Sequence, residues 1–215
     1  MGLVIGSLGA TGGLGTNPYL EANLLFPYTN GLDFVTTIKK RGGWEAVDAA
    51  YSKPPESTEQ VMHPEKFIAG EAPAPVQTPG LARIAGPGWE TTFENVMGEF
   101  DVVEMLQADI PASRVRRAAA GWGGGSISFA EGPEGKTLTA MVFTWDSEAD
   151  AAEFAMAMGN ALERRYEGLF DLEPLTAPVL KTEDGVWLLV QKGAKVAVVQ
   201  APDRGLGEAV VKAVS

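Results

Sequence analysis

The chain contains no cysteine and a single histidine, His63. Without cysteine there is no disulfide and no thiolate chemistry. With one histidine, a catalytic zinc site, which needs about three protein ligands, would have to be built almost entirely from carboxylates. There is no His-Glu-x-x-His pair and no Gly-x-Ser-x-Gly elbow, and a Ser-His-Asp triad would have to use His63. Basic charge is also scarce: 17 Lys and Arg against 28 Asp and Glu leave a net charge of −11. No cationic excess is available to neutralise phosphates, which argues against nucleic acid and disfavours an anionic membrane surface. No run approaches the ~18 consecutive apolar residues that span a bilayer, so no membrane insertion is expected. Residues 1–10 lack a basic n-region and are interrupted by glycine, a poor signal peptide.

What is present is an ordinary apolar content, 45% of 215 residues, enough for one large core or two small ones. Residues 1–17 are Gly-rich and read as a flexible leader. Residues 18–68 form a helical segment. In it, Leu20, Leu24, Leu25 and, after a break near Pro27, Phe34, Val35 and Ile38 mark the apolar face of a helix over 18–41. Gly42-Gly43 ends that helix where a positive φ is needed, and a short helix over 44–51 follows. Pro54-Pro55 stops it. Ser57, with Gln60 three residues on, caps another helix that Pro64 keeps short. Pro73, Pro75 and Pro79 with Gly70 and Gly80 make residues 69–80 a linker.

Residues 81–215 read as an α+β domain. Phe93, Val96, Met97, Phe100, Val103 and Leu106 predict a helix over 90–108, and a shorter one over 112–120 ends at Gly121. Strands are expected at 126–129 and 138–145, then at 179–182, 186–191 and 195–200. Asp184-Gly185 and Lys192-Gly193 supply turns. Ser147 with Asp150 caps a helix whose stripe is Phe154, Met158, Leu162 and Tyr166, and a closing helix covers 206–214. The expected class is α+β: an N-terminal helical segment, then an antiparallel sheet with helices packed on one face.

Chemistry is hard to find in this pattern. His63 lies between a helix and Pro64, where a structural hydrogen bond outweighs catalysis. Gly121-Trp122-Gly123-Gly124-Gly125 lacks the Lys-Ser/Thr of a phosphate loop and precedes a strand, so it reads as a turn that lets Trp122 pack. Arg114, Arg116, Arg117, Arg164 and Arg165 fit helix C-terminal turns. The many carboxylates have no spacing that singles out an acid–base pair or a calcium loop, and no cofactor is implied.

Four elements occur in order: Gly42-Gly43-Trp44-x-Ala46-Val47-Asp48-x-x-Tyr51; Pro54-Pro55-x-Ser57-Thr58-Glu59-Gln60-Val61-x-His63-Pro64-Glu65-Lys66-Phe67; Ala118 to Gly124; and Trp145-Asp146-Ser147-x-x-Asp150-Ala151-x-x-Phe154. Together, over about residues 18–165, they resemble the C-terminal part of exported zinc-metallopeptidase-like proteins of bacteria and haloarchaea. In that family the zinc-binding His-Glu-x-x-His helix precedes this part, so no catalytic residue carries over. Gly125 departs from the pattern, where an acidic residue would follow Gly-Trp-Gly-Gly. The resemblance implies an extracytoplasmic location and a non-catalytic accessory or binding module, with Trp44, Glu59, His63, Glu65 and Trp122 as binding candidates and no metal site. The partner would be another protein or the catalytic part of a longer chain, and a homo-oligomer is compatible. Two alternatives stand beside it. One is a hydrolase completed in trans around Trp44, Glu59, His63 and Glu65. The other is an assembly subunit that buries Trp89, Trp122 or Trp187 in a partner.

Overall fold

The structure is a computed structural model that describes residues 17–171 and 177–214. The leader expected at 1–17 lies outside the described residues except for Asn17. The chain divides into two compact units: residues up to Pro73 with Gly98–Ala108, and Ala74–Met97 with Asp109 onward. Residues 71–80 form neither helix nor strand, in keeping with their proline content.

The first unit is helical. Helix α1 (Pro18–Ser52) starts with Pro18 at its first position and the Asn17 side chain accepting from Tyr19 N at 3.0 Å. It is two helices joined at Gly43, whose φ of 69° and ψ of −164° are not helical. The break expected at Gly42-Gly43 is there. Helix α2 (Thr58–Met62) has Ser57 as N-cap, its Oγ accepting from Gln60 N at 3.2 Å. Helix α3 (Pro64–Ala69) follows at once and ends at the left-handed Gly70. Phe34, Ile38 and Val47 form the buried core, with Phe67 set edge-on to Phe34 at 5.1 Å.

The apolar face expected for α1 needs correction. Phe34 and Ile38 are buried, but Leu20, Leu24, Leu25 and Val35 are exposed. At the N-terminal end the inward residues are Tyr19 and Phe26, whose rings lie 6.1 and 4.7 Å from that of Phe100.

The helix expected over 90–108 is also corrected. Residues Glu90–Val96 are strand β1, and only Glu99–Gln107 is helix, here α5. Thr91, Thr92 and Phe93 favour an extended backbone, and Gly98 sits between the two elements. A Cβ at Gly98 would collide with Thr58 Oγ1, so the position is closed to any side chain. The apparent stripe ran across a boundary.

The second unit holds helix α4 (Leu81–Ala85), strand β1, helix α6 (Ala112–Ala119) and the hairpin β2 (Trp122–Glu131) and β3 (Thr137–Trp145). Helix α7 (Glu148–Arg165), capped by Ser147 as expected, is next. Strands β4 (Val179–Thr182), β5 (Gly185–Lys192) and β6 (Lys195–Ala201) and helix α8 (Arg204–Val214) complete it. All strands pair antiparallel in the order β1-β2-β3-β6-β5-β4.

The α+β class and antiparallel sheet are as expected, but the helices cover both faces of the sheet rather than one. Residues 138–143 of β3 are all buried, which a strand with one wet face cannot achieve. Leu138 and Ala140 share one face with Leu188, Val199 and Val210 of α8. Phe143 and Trp145 point the other way, onto Phe154 of α7 at 5.0 and 4.7 Å.

Strand β2 enters the sheet through glycines that let other backbone segments close in. Met97 N donates to Gly125 O at 3.0 Å, and Ala74 N donates to Gly123 O at 2.7 Å. A Cβ at Gly125 would lie 2.5 Å from Met97 O and 2.7 Å from the Phe143 ring. The acidic residue that the resemblance expects there has no room in this backbone. Gly125→Asp is expected to lower stability by about 3 kcal/mol, the upper range for overpacking, as a drop in melting temperature in thermal denaturation.

Candidate functional site

Four of the five binding candidates, Trp44, Glu59, His63 and Glu65, lie in the first unit; Trp122 lies in the second. Their positions follow from the junction of α2 and α3. His63 ends α2 and precedes Pro64, and a residue before proline is driven out of the helical region. Its φ of −125° and ψ of 77° turn the chain so that two short helices meet at an angle around one imidazole.

His63 Nε2 lies 3.0 Å from both oxygens of Glu99. One N–H has one direction, and the hydrogen bond goes to Oε1, so the buried Oε2 makes none. Glu99 is buried in the first turn of α5, where the helix dipole favours an anion. On the other side of the ring, Nδ1 is 3.8 Å from Glu65 Oε1. The hydrogen bond to Glu99 raises the His63 pKa above its usual value. Partial burial opposes the rise, and the charges of Glu99, Glu65 and Glu59 add to it.

Glu59 is 3% exposed. Lys66 Nζ lies 2.7 Å from Glu59 Oε1 and 2.7 Å from Glu71 Oε1. Gln60 is buried too. Its Nε2 donates to Glu71 O at 2.5 Å, and its Oε1 accepts from Glu56 N at 2.6 Å. Thr58 Oγ1 accepts from Phe100 N at 3.2 Å. Nearby, the Tyr19 hydroxyl donates to Asp101 Oδ1 at 2.6 Å. Burial pushes the Asp101 carboxyl up, against the bonds from Tyr19 and Gly98 N–H that pull it down.

The polar residues from Ser57 to Lys66 are thus engaged in capping, pairing and clamping. Among the described residues no hydroxyl is hydrogen-bonded to His63, so a nucleophile poised for this base is not assembled. Glu99 is the partner that sequence reasoning missed. It is 36 residues away, and its only local signal is its place just after Gly98 at a helix start.

The two tryptophan candidates separate. Trp44 is 64% exposed, with Lys39 Nζ 4.0 Å above its ring. Trp122 is 1% exposed and belongs to the sheet core, its indole N–H buried without a hydrogen bond. Trp187 is buried as well, so neither it nor Trp122 can serve as an exposed anchor.

Close to Trp44 in sequence is a surface that periodicity did not reveal. Phe34, Val35, Ile38, Val47, Ala50, Tyr51, Pro54 and Pro55 line an apolar groove of about 230 Å³. It forms where the break at Gly43 folds the two parts of α1 toward each other and Pro54-Pro55 closes the end. Among the described residues no acid, base or amide side chain lines it. Among the described residues no helix is long and apolar enough to cross a membrane.

Residues 87–211, more than half of the chain, match the family model described as "Domain of unknown function (DUF8575)". Comparison with curated proteins and with solved structures finds no match.

Two outcomes follow from the polar cluster. Lys66→Met removes the ammonium that lies against the buried Glu59 carboxylate and is expected to cost about 3 kcal/mol, read from chemical denaturation. The His63 pKa is raised on folding, so its stabilisation is complete below the unfolded value of about 6.5. It fades as pH rises through the folded value. The stability advantage of the wild type over His63→Gln is expected to be larger at low than at high pH. Solvent screens the half-exposed ring and keeps the change to about 1 kcal/mol. Parallel melting curves across pH check it, and an advantage that grows with pH would contradict the assignment.

Proposed function

We propose that this chain, which belongs to the DUF8575 family, is a non-catalytic, protein-binding module. Its place would be as the accessory part of a metallopeptidase-like envelope or secreted protein. The observation that carries the binding role is the groove between Phe34 and Pro55. Small-molecule sites run to about 300–1,000 Å³ and carry a few convergent polar groups. At about 230 Å³ this groove is smaller, and the Tyr51 hydroxyl is the one side-chain polar group among its described lining residues. It suits one or two apolar side chains of a partner polypeptide, seated against Tyr51, a residue type that dominates hot spots.

The non-catalytic half of the reading is supported by how the Pro54–Phe67 residues are used. Ser57, Glu59, Gln60, His63 and Lys66 each hold the fold together. The metallopeptidase link rests on the sequence elements alone.

The test is panning of a random twelve-residue peptide library against the purified chain. Enriched peptides are expected to share an apolar or aromatic anchor and to lose at least tenfold in affinity to Tyr51→Ala or Ala50→Glu. Peptides that keep their affinity for both variants would overturn the groove as the binding site. Stoichiometric zinc in the purified chain, with peptide hydrolysis abolished by His63→Ala, would overturn the non-catalytic reading.

A further inference from the structure

Helix α1 has two apolar sides, which meet at the angle shared by Leu20 and Ile38. One side, Tyr19, Phe26, Phe34 and Ile38, packs within its own unit. The other carries Leu20, Leu24, Tyr28, Leu32 and Val35, spaced four, four, four and three residues apart, with Leu25 alongside. That spacing keeps them on one stripe of a helix with 3.6 residues per turn. Leu24 is 72% exposed and Tyr28 76%, and Leu20, Leu25 and Leu32 are each more than half exposed. Folding covers only one of the two faces.

We propose that this stripe pairs with the same stripe of a second copy of the chain, the two helices running antiparallel. Area favours this occupant. The six exposed side chains offer roughly 600 Å² per copy, as large as the largest patch expected on a monomer. Doubled, to roughly 1,200 Å², it reaches the range of specific stable interfaces. The stripe spans about 24 Å of helix, far longer than a small ligand.

Charge selects the direction. Glu21 and Lys39 are five turns apart at the same angle around the helix, within the arc of the stripe and at its two ends. Two parallel helices in register would set Glu21 against Glu21 and Lys39 against Lys39. Antiparallel helices related by a two-fold axis at Asn30 set Glu21 of one copy near Lys39 of the other, twice. The same axis places Tyr28 against Leu32 and Leu25 against Val35, so charge and apolar register agree. Gly31, on the stripe next to the axis, has open space where a Cβ would stand and lets the helices approach closely. A contact of this kind is isologous, as in most homodimers.

The stripe and the Phe34–Pro55 groove share only Val35, so the pairing stands or falls independently of the groove reading. The experiment is sedimentation equilibrium of the full chain from 1 to 100 µM. The expected species is a dimer of the 22.7 kDa chain. Leu24→Glu with Leu32→Glu is expected to weaken it at least tenfold, with a melting temperature equal to that of the wild type at dilutions where both are monomeric. Glu21→Lys weakens it, and adding Lys39→Glu restores it. The chain has no cysteine, so Gly31→Cys alone is expected to give an interchain disulfide on oxidation. A wild type that stays monomeric at 100 µM would overturn the proposal and assign the face to another partner. A dimer that survives Leu24→Glu with Leu32→Glu, or one that Gly31→Cys does not cross-link, would overturn it as well.

Discussion

The helical unit depends on the matching of two buried carboxylates. Glu59 and Glu99 are both taken out of water, and an unpaired buried carboxylate is too costly to keep. Lys66 answers the first and His63 the second. Both partners come from the stretch that turns at Pro64, which brings Lys66 to Glu59 and His63 to Glu99. Phe67, carried on α3, then meets Phe34. The polar pairing and the apolar core are consequences of one turn. A buried ion pair adds little net stability over an apolar pair of similar shape. What it supplies here is a single permitted arrangement of three short helices.

The second unit solves a different problem. Its sheet is covered on both faces, so alternation of apolar and polar residues, the usual strand signal, is lost in β3 and β6. The strands were still legible because turns bracket them: Gly185 and Gly193, both at positive φ, sit where the sequence requires them. Ser57 and Ser147 were legible as caps for a similar reason. A side chain three residues from a backbone N–H it can reach is local information.

What was not legible is what depends on distant residues. Phe93, Val96, Met97 and Phe100 keep helical spacing across a strand, a glycine and a helix, and only the Thr58 side chain pressed against Gly98 shows why the break falls there. Glu99 could not be assigned to His63 from spacing, since 36 residues separate them. Periodicity places Leu20, Leu24, Leu25 and Val35 on the buried face because a periodic apolar face is normally a core face. Periodicity reports that a face wants cover. It does not report whether the chain itself supplies it.

That distinction bears on what the molecule is for. The family match covers residues 87–211, which is most of the sheet unit, and leaves α1, α2 and α3 outside it. The two kinds of surface are divided in the same way. Of the twelve large apolar residues that stand exposed among the described residues, nine belong to residues 20–68, and Val96, Met156 and Leu169 are scattered singly elsewhere. Single exposed apolar residues are ordinary on a protein surface, whereas a continuous stripe is not. The sheet unit is complete in its own core. The helical unit holds a small core of Phe34, Ile38 and Val47 and turns most of the apolar surface of its long helix outward. Burying such a stripe against a partner would lower its free energy, and the polar cluster fixes α2, α3 and α5 beside the long helix. The part of the chain that a partner would read is therefore the part whose own core is smallest.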